Sequence, residues 1–159
     1  GYISRAAYKI SKHKNILYNI GAMGHTQMIA LGVSNFTKKK IICLDGDGSL
    51  LMHMGSLVSL ANSNNNIKYF LLNNFMHESV GGQECLSKKI NFKLFAKSTG
   101  FKKYIEIYNL KNFETKISES LKESIPTFIN VLIKESNNED LPRVKDFKRI
   151  QNNFMKHGI

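Results

Sequence analysis

The stretch KKKIICLDGDGSLLMHMGSL, residues 38–57, decides the fold. Residues 40–45 are apolar on both faces, as in a strand buried inside a parallel sheet. Gly46-Asp47-Gly48 follows at once, and the apolar spacing over 49–62 predicts a helix. A strand that runs through glycines into a helix leaves free backbone N–H groups at the positive end of the helix dipole, which suits an anion. The pattern is not the dinucleotide fingerprint. After Gly46 and Gly48 the third glycine is replaced by Leu51, and no acidic residue closes the next strand. No phosphate-loop lysine is present either. A diphosphate reader working with a metal ion fits better. The structural alternative for Asp47 is a helix cap in a tight turn.

Short apolar runs alternate with helical patterns on both sides of this stretch. Strands are expected at 16–20, 67–74, 104–108 and 127–133, and helices at 3–13, 25–36, 91–99, 111–124 and 143–156. A glycine-bearing loop spans 75–90, and a polar linker runs from Asn137 to Pro142. Such alternation predicts an α/β three-layer sandwich with a mainly parallel sheet. Open sheets of this kind bind ligands at the carboxyl ends of their strands. Three segments fall there: IGAMGHT at 20–26, DGDGS at 45–49 and NNFMHESVGGQ at 73–83. They hold most of the unusual chemistry in the chain. The second asparagine pair ends a strand one helix and one strand beyond Gly48, the length needed to return Asn74 beside Asp47. A carboxylate, an amide oxygen, a backbone carbonyl and two diphosphate oxygens would nearly complete an octahedral magnesium shell.

GDG followed after about two dozen residues by NN resembles the motif of the thiamine diphosphate-dependent enzymes, in their diphosphate-binding domain. The strings GAMGHTQMIALG, IICLDGDGSLLMHMGSL and LLNNFMHESVGGQ resemble most the phosphonopyruvate decarboxylases within that family. The β-subunit of sulfopyruvate decarboxylase is similar, but typically lacks a histidine-acid pair such as His77-Glu78. The resemblance implies thiamine diphosphate and Mg2+ as cofactors, with Asp47, Asn74 and the carbonyl of Met76 as metal ligands. It implies that Gly46, Gly48 and Ser49 lie against the diphosphate, with Gly24 and His25 in the neighbouring cofactor segment. The Gly21 carbonyl would accept from the cofactor's 4′-amino group, and Met23 would prop the cofactor into its bent shape. Met23 and His25 also have plain packing readings, as does His53. His77 is the candidate catalytic residue, by donation to an anionic substrate group or by proton relay; the alternative is a solvated loop histidine. Glu78 fits beside an anionic substrate only if turned away or protonated.

The implied reaction is nonoxidative decarboxylation of a 2-oxo acid, with phosphonopyruvate to phosphonoacetaldehyde and CO2 first. Sulfopyruvate or another 2-oxo acid is second, and a cofactor-binding remnant inactive by itself is the alternative. Family members also use a glutamate carried by a separate pyrimidine-binding domain, and no segment here resembles it. Residues 1–159 therefore read as one diphosphate-binding domain, half of an active site. The other half lies upstream of Gly1 or in a second subunit, within a homo- or hetero-oligomer.

Composition sets the outer bounds. The 159 residues suit one domain with its own core, at 42% hydrophobic and 22% charged. No apolar run reaches the ~20 residues of a membrane helix. Cys43 and Cys85 exclude a disulfide scaffold and a cysteine-only zinc site. These thiols and the lack of a signal segment lead to a cytoplasmic expectation. The net charge of +11 comes from 23 basic against 12 acidic residues. The basic residues are mostly scattered lysines, whereas base and phosphate forks favour arginine. Compositional drift is therefore preferred over a nucleic-acid surface, and such a field can still steer an anionic small substrate.

Overall fold

A computed structural model describes residues 1–135 and 140–159. Among these, four strands form one fully parallel sheet: β1 (Ile41–Gly46), β2 (Ile67–Asn73), β3 (Lys103–Ile107) and β4 (Thr127–Leu132), in the spatial order β1-β2-β4-β3. The helices are α1 (Tyr2–Ile10), α2 (Thr26–Ser34), α3 (Asp47–Met52), α4 (Ser56–Ala61), α5 (Phe92–Thr99), α6 (Phe113–Lys122) and α7 (Phe147–His157). The α/β three-layer expectation is met, with helices on both faces of a parallel sheet.

Alternation along each strand separates two cores. Cys43, Tyr69 and Phe128 share a register row with Tyr104 and face α2, α4 and α5. Phe128 is the hub of this side. Its ring centroid lies 5.3 Å from Tyr69, 5.4 Å edge-on from Phe101 and 5.7 Å from Tyr104. On the opposite face Phe70, Ile107, Ile129 and Val131 pack with Phe113 and Ile117 of α6. That face is left open over β1, where Ile42 and Leu44 are 54% and 41% exposed.

Lys68 points into this second face and is fully buried. Its ammonium donates to the carbonyls of Glu123 and Ile125 at 2.8 and 2.7 Å and to Thr127 Oγ1 at 3.1 Å. It therefore ties the end of α6 to the start of β4. Burial lowers its pKa from 10.5 to about 8.

Three expectations change. Residues 16–20 are not a strand. Tyr18 instead stacks edge-on against Tyr8 at 5.4 Å, and its hydroxyl donates to the Ser11 carbonyl at 2.6 Å. These contacts hold the segment against α1 rather than along a strand edge. The helix expected over 49–62 starts earlier and breaks at residues 53–55 into α3 and α4. The break is tolerated because the His53 carbonyl accepts from Ser56 N, Ser56 Oγ and Gln27 Nε2 at 3.1, 2.7 and 3.3 Å. The last helix begins at Phe147 instead of 143, where Asp146 caps it by accepting from Arg149 N at 3.3 Å. Of the linker expected over 137–142, residues 137–139 lie outside the described residues.

Candidate functional site

The three sequence segments meet at the carboxyl edge of β1 and β2. They border a cavity of about 760 Å³ that extends along the open face of β1 towards α1 and α7. Gly21, Met23, Gly46, Asp47, Gly48, Ser49, Asn74, Met76 and His77 all line it. Gly24 and His25 do not. Gly24 sits just behind, with φ +84°. A Cβ there would stand 2.7 Å from His53 Nδ1 and 2.8 Å from Met52 Cβ. Glycine therefore lets the Gly21–Gly24 segment lie directly on α3. The Gly24 N–H donates to Ser49 Oγ at 2.9 Å, joining the first segment to the second. The His25 ring stacks on His53, centroids 4.3 Å apart, at the exposed outer side.

Both carboxylates of Asp45-Gly46-Asp47 are buried, each residue 2% exposed, and among the described residues neither makes an ion pair. Asp45 accepts from Tyr69 Oη at 2.9 Å and from Gly46 N at 3.0 Å. Burial pushes its pKa up, against the opposing pull of hydrogen bonds from Ser49, Tyr69 and Gly46. The cap alternative for Asp47 is not what forms: Gly46 is the N-cap and no side chain caps α3. The Asp47 carboxylate turns instead to Ser87, whose hydroxyl donates to Oδ2 at 2.6 Å. Ser49 is occupied by Gly24 N and Asp45, so its backbone N–H is the group left for a ligand.

The asparagine pair shapes its own turn. Asn73 Oδ1 accepts from Phe75 N at 3.2 Å and Asn74 Oδ1 from Met76 N at 3.0 Å, two Asx turns in succession. Phe75 takes φ 61°, and among the described residues the buried Asn73 Nδ2 has no hydrogen-bond partner. Asn74 Nδ2 donates to Glu78 Oε2 at 3.0 Å. Glu78 is thereby drawn onto Asn74. His77 is fixed through its backbone, donating to the Gln83 carbonyl at 2.7 Å and accepting from Val80 N and Gly82 N at 3.0 and 3.1 Å. Its ring lies against the glycine turn, where a Cβ on Gly48 would fall 2.5 Å from His77 Nδ1.

Asp47, Asn74 and the Met76 carbonyl are a hard oxygen set of the kind magnesium takes alongside phosphate oxygens. Among the described residues no group of three His, Cys, Asp or Glu offers a softer site. Open N–H groups at the glycine turn and two buried carboxylates without counter-ions fit a diphosphate bridged by a divalent cation. Sequence reasoning missed Asp45, Tyr69 and Ser87. Asp45 stood in the quoted motif; Ser87 lies 40 residues beyond Asp47 in an ordinary LSKK stretch and carried no signal.

The family model described as the thiamine pyrophosphate enzyme C-terminal TPP binding domain matches residues 2–131. A phosphonopyruvate decarboxylase of Streptomyces hygroscopicus is 32% identical over 146 residues, 91% of this chain and 36% of that protein. The sulfopyruvate decarboxylase subunit beta of Methanothermobacter thermautotrophicus is 33% identical over 158 residues, 98% of this chain and 82% of that subunit. The chain thus spans little more than a third of the phosphonopyruvate decarboxylases it matches, 37% and 36%. A solved 2-oxoglutarate:ferredoxin oxidoreductase from Magnetococcus marinus superposes with TM-score 0.63 at 15% identity, over 80% of this chain and 50% of that one, which speaks to the fold alone.

Proposed function

The chain belongs to the thiamine pyrophosphate enzymes, whose C-terminal TPP-binding domain it carries, and on that premise we propose that it is the diphosphate-binding half of a magnesium-dependent 2-oxo acid decarboxylase. The observation that carries the reading is the pair of buried carboxylates, hydrogen-bonded but with no ion pair among the described residues, that line one cavity with Asn74 and the glycine turn. Burying a carboxylate without a counter-charge is costly, and a bound cation offsets that cost.

In this reading Asp47, Asn74 and the Met76 carbonyl hold the ion, and the N–H groups of Gly48 and Ser49 receive the diphosphate. Thiamine diphosphate, when bound, supplies the sink that accepts the electron pair released as CO2 leaves. The Gly21 carbonyl and Met23 orient its ring end. His77 lines the cavity beside the glycine turn, and in this reading its imidazole donates to an anionic group or returns a proton to carbon. Glu78 also lines the cavity and is held by a hydrogen bond from Asn74. A 2-oxo acid with an anionic 3-substituent is the proposed substrate, phosphonopyruvate first. Sulfopyruvate is the second reading, favoured by the near full-length match to a separate β-subunit. A pyrimidine-binding domain or subunit supplies the remaining glutamate.

The test is CO2 release from phosphonopyruvate, sulfopyruvate and pyruvate, with the chain joined to its upstream or partner region and supplied with both cofactors. Preferential release from phosphonopyruvate is expected, and Asp47→Ala should abolish it together with metal-dependent cofactor binding. Normal cofactor binding by Asp47→Ala would overturn the metal assignment.

A further inference from the structure

We propose that Ser87 is the positioning residue for the Asp47 carboxylate, turning one of its oxygens into the cavity for a hard divalent cation. The inference rests on the reading of Asp47 as a metal ligand. Asp47 is flanked by Gly46 and Gly48, so neither neighbouring side chain limits its rotamer. One contact does. Ser87 is 0% exposed, and its hydroxyl donates to Asp47 Oδ2 at 2.6 Å, the length of a charge-assisted bond between a hydroxyl and a carboxylate. With Oδ2 committed to Ser87, Oδ1 is the oxygen proposed for the cation in the cavity that Asp47 lines.

The loop that follows β2 is built to return Ser87 to this place. Cys85 N donates to the Phe75 carbonyl at 2.6 Å, and Met76 and Glu84 pair as an antiparallel bridge. The short helical turn Leu86–Lys89 then carries Ser87 behind α3, closed by Ile90 N donating to the Ser87 carbonyl at 3.0 Å. Cys85 is buried beside it and interacts with both Ser87 and Asp47. The carboxylate is thus backed by a polar wall drawn from the same loop that carries Asn74 and Met76. Partners behind a metal ligand typically change metal affinity about 10–100-fold when removed.

The experiment titrates Mn2+ into the chain with thiamine diphosphate, following free Mn2+ by electron paramagnetic resonance, for the parent, Ser87→Ala, Ser87→Cys and Asp47→Ala. Ser87→Ala should raise the half-saturating Mn2+ concentration roughly tenfold or more with unchanged stoichiometry. A merely structural role would lower the competent fraction or the melting temperature and leave the midpoint in place. Ser87→Cys, nearly isosteric and a weak donor, should move the midpoint the same way and carries the test if the alanine variant does not fold. A parent-like midpoint in a folded Ser87 variant, with Asp47→Ala unable to bind, overturns the inference and leaves the metal assignment standing. Binding by Asp47→Ala equal to the parent overturns the metal assignment itself.

Discussion

Gly24→Ala probes the seam between the two glycine segments. At φ +84° an L-residue costs about 1–2 kcal/mol. The new Cβ would stand 2.8 Å from Met52 Cβ, 2.7 Å from His53 Nδ1 and 3.3 Å from the Ser49 carbonyl oxygen. The His53 ring can swing aside, but Met52 Cβ is fixed by the backbone of α3. Carbon atoms rest at about 3.5–4.0 Å, so the Gly21–Gly24 segment must retreat by roughly 1 Å. That retreat breaks the Gly24 N–H bond to Ser49 Oγ at 2.9 Å, a further loss of about 1 kcal/mol. The sum is about 2–3 kcal/mol, which in a chain of this size lowers the melting temperature by roughly 5–10 °C. Circular dichroism melts of the parent, Gly24→Ala and Gly32→Ala measure it. Gly32 lies inside α2 with nothing within 4 Å of its added Cβ, so its alanine should be neutral or stabilising by about 0.5–1 kcal/mol. A Gly24→Ala melt within about 2 °C of the parent would refute the close approach.

Gly48→Ala should keep the fold, since alanine suits a helix and the clash is with a movable ring 2.5 Å away. By displacing His77 it should cut turnover of the complete enzyme roughly tenfold at saturating cofactor, no more than His77→Ala does; unchanged kcat would remove the ring from the chemistry. His77→Ala should leave cofactor affinity intact and lower kcat at least tenfold, and a loss confined to cofactor binding, read by calorimetry, would reassign the residue. For Lys68 the sign follows from a folded pKa of about 8 against 10.5. The unfolded chain binds more protons between those values, so stability rises with pH across that window. Lys68→Met removes the titration, so the parent should gain on the variant from pH about 8 to about 10; parallel stability-pH curves would refute the shift.

What could be read in the sequence and what could not divide along particular residues. β2 and β4 announced themselves because strands buried on both faces are continuous apolar runs; β1 reads the same way, but it is an edge strand whose Ile42 and Leu44 face is open, so its burial on both faces was over-read. The same rule misled at 16–20: ILYNI has strand composition but joins no strand, and Tyr18 packs on Tyr8 of α1 and donates to the Ser11 carbonyl instead. The break between α3 and α4 was hidden for a related reason. MHMGSL keeps helical spacing through Gly55, and the interruption is stabilised by Gln27, a residue 26 positions from His53. A local pattern cannot report a partner supplied from another element.

The site divides in the same way. Asp47, Gly48, Asn74, Met76 and His77 were legible as candidates because the parallel sheet delivers the ends of β1 and β2 to one edge, whereas Gly21 and Met23 reach the cavity on a non-strand segment tied to Ser49 through Gly24. What holds them was not. Tyr69 reads as an ordinary aromatic in an apolar strand, yet its hydroxyl secures Asp45 from the neighbouring strand. Asp45 in turn bears on Ser49, which receives the Gly24 N–H, so one buried phenol helps fix the segment that carries Gly21 and Met23. Glu78 looked hostile to an anionic substrate and is instead engaged by Asn74. For Asp45 and Ser49 the missing information is a long-range hydrogen bond, while the Asn74–Glu78 bond is local but set by the turn. Each lies where low dielectric makes an unmet polar group costly. The ligating groups follow from strand ends, whereas their rigidity comes from β2 and its return loop, through Tyr69, Glu78 and Ser87. Damage to that loop should therefore reach the cofactor edge before it reaches the sheet, because Phe128 and its neighbours pack without it.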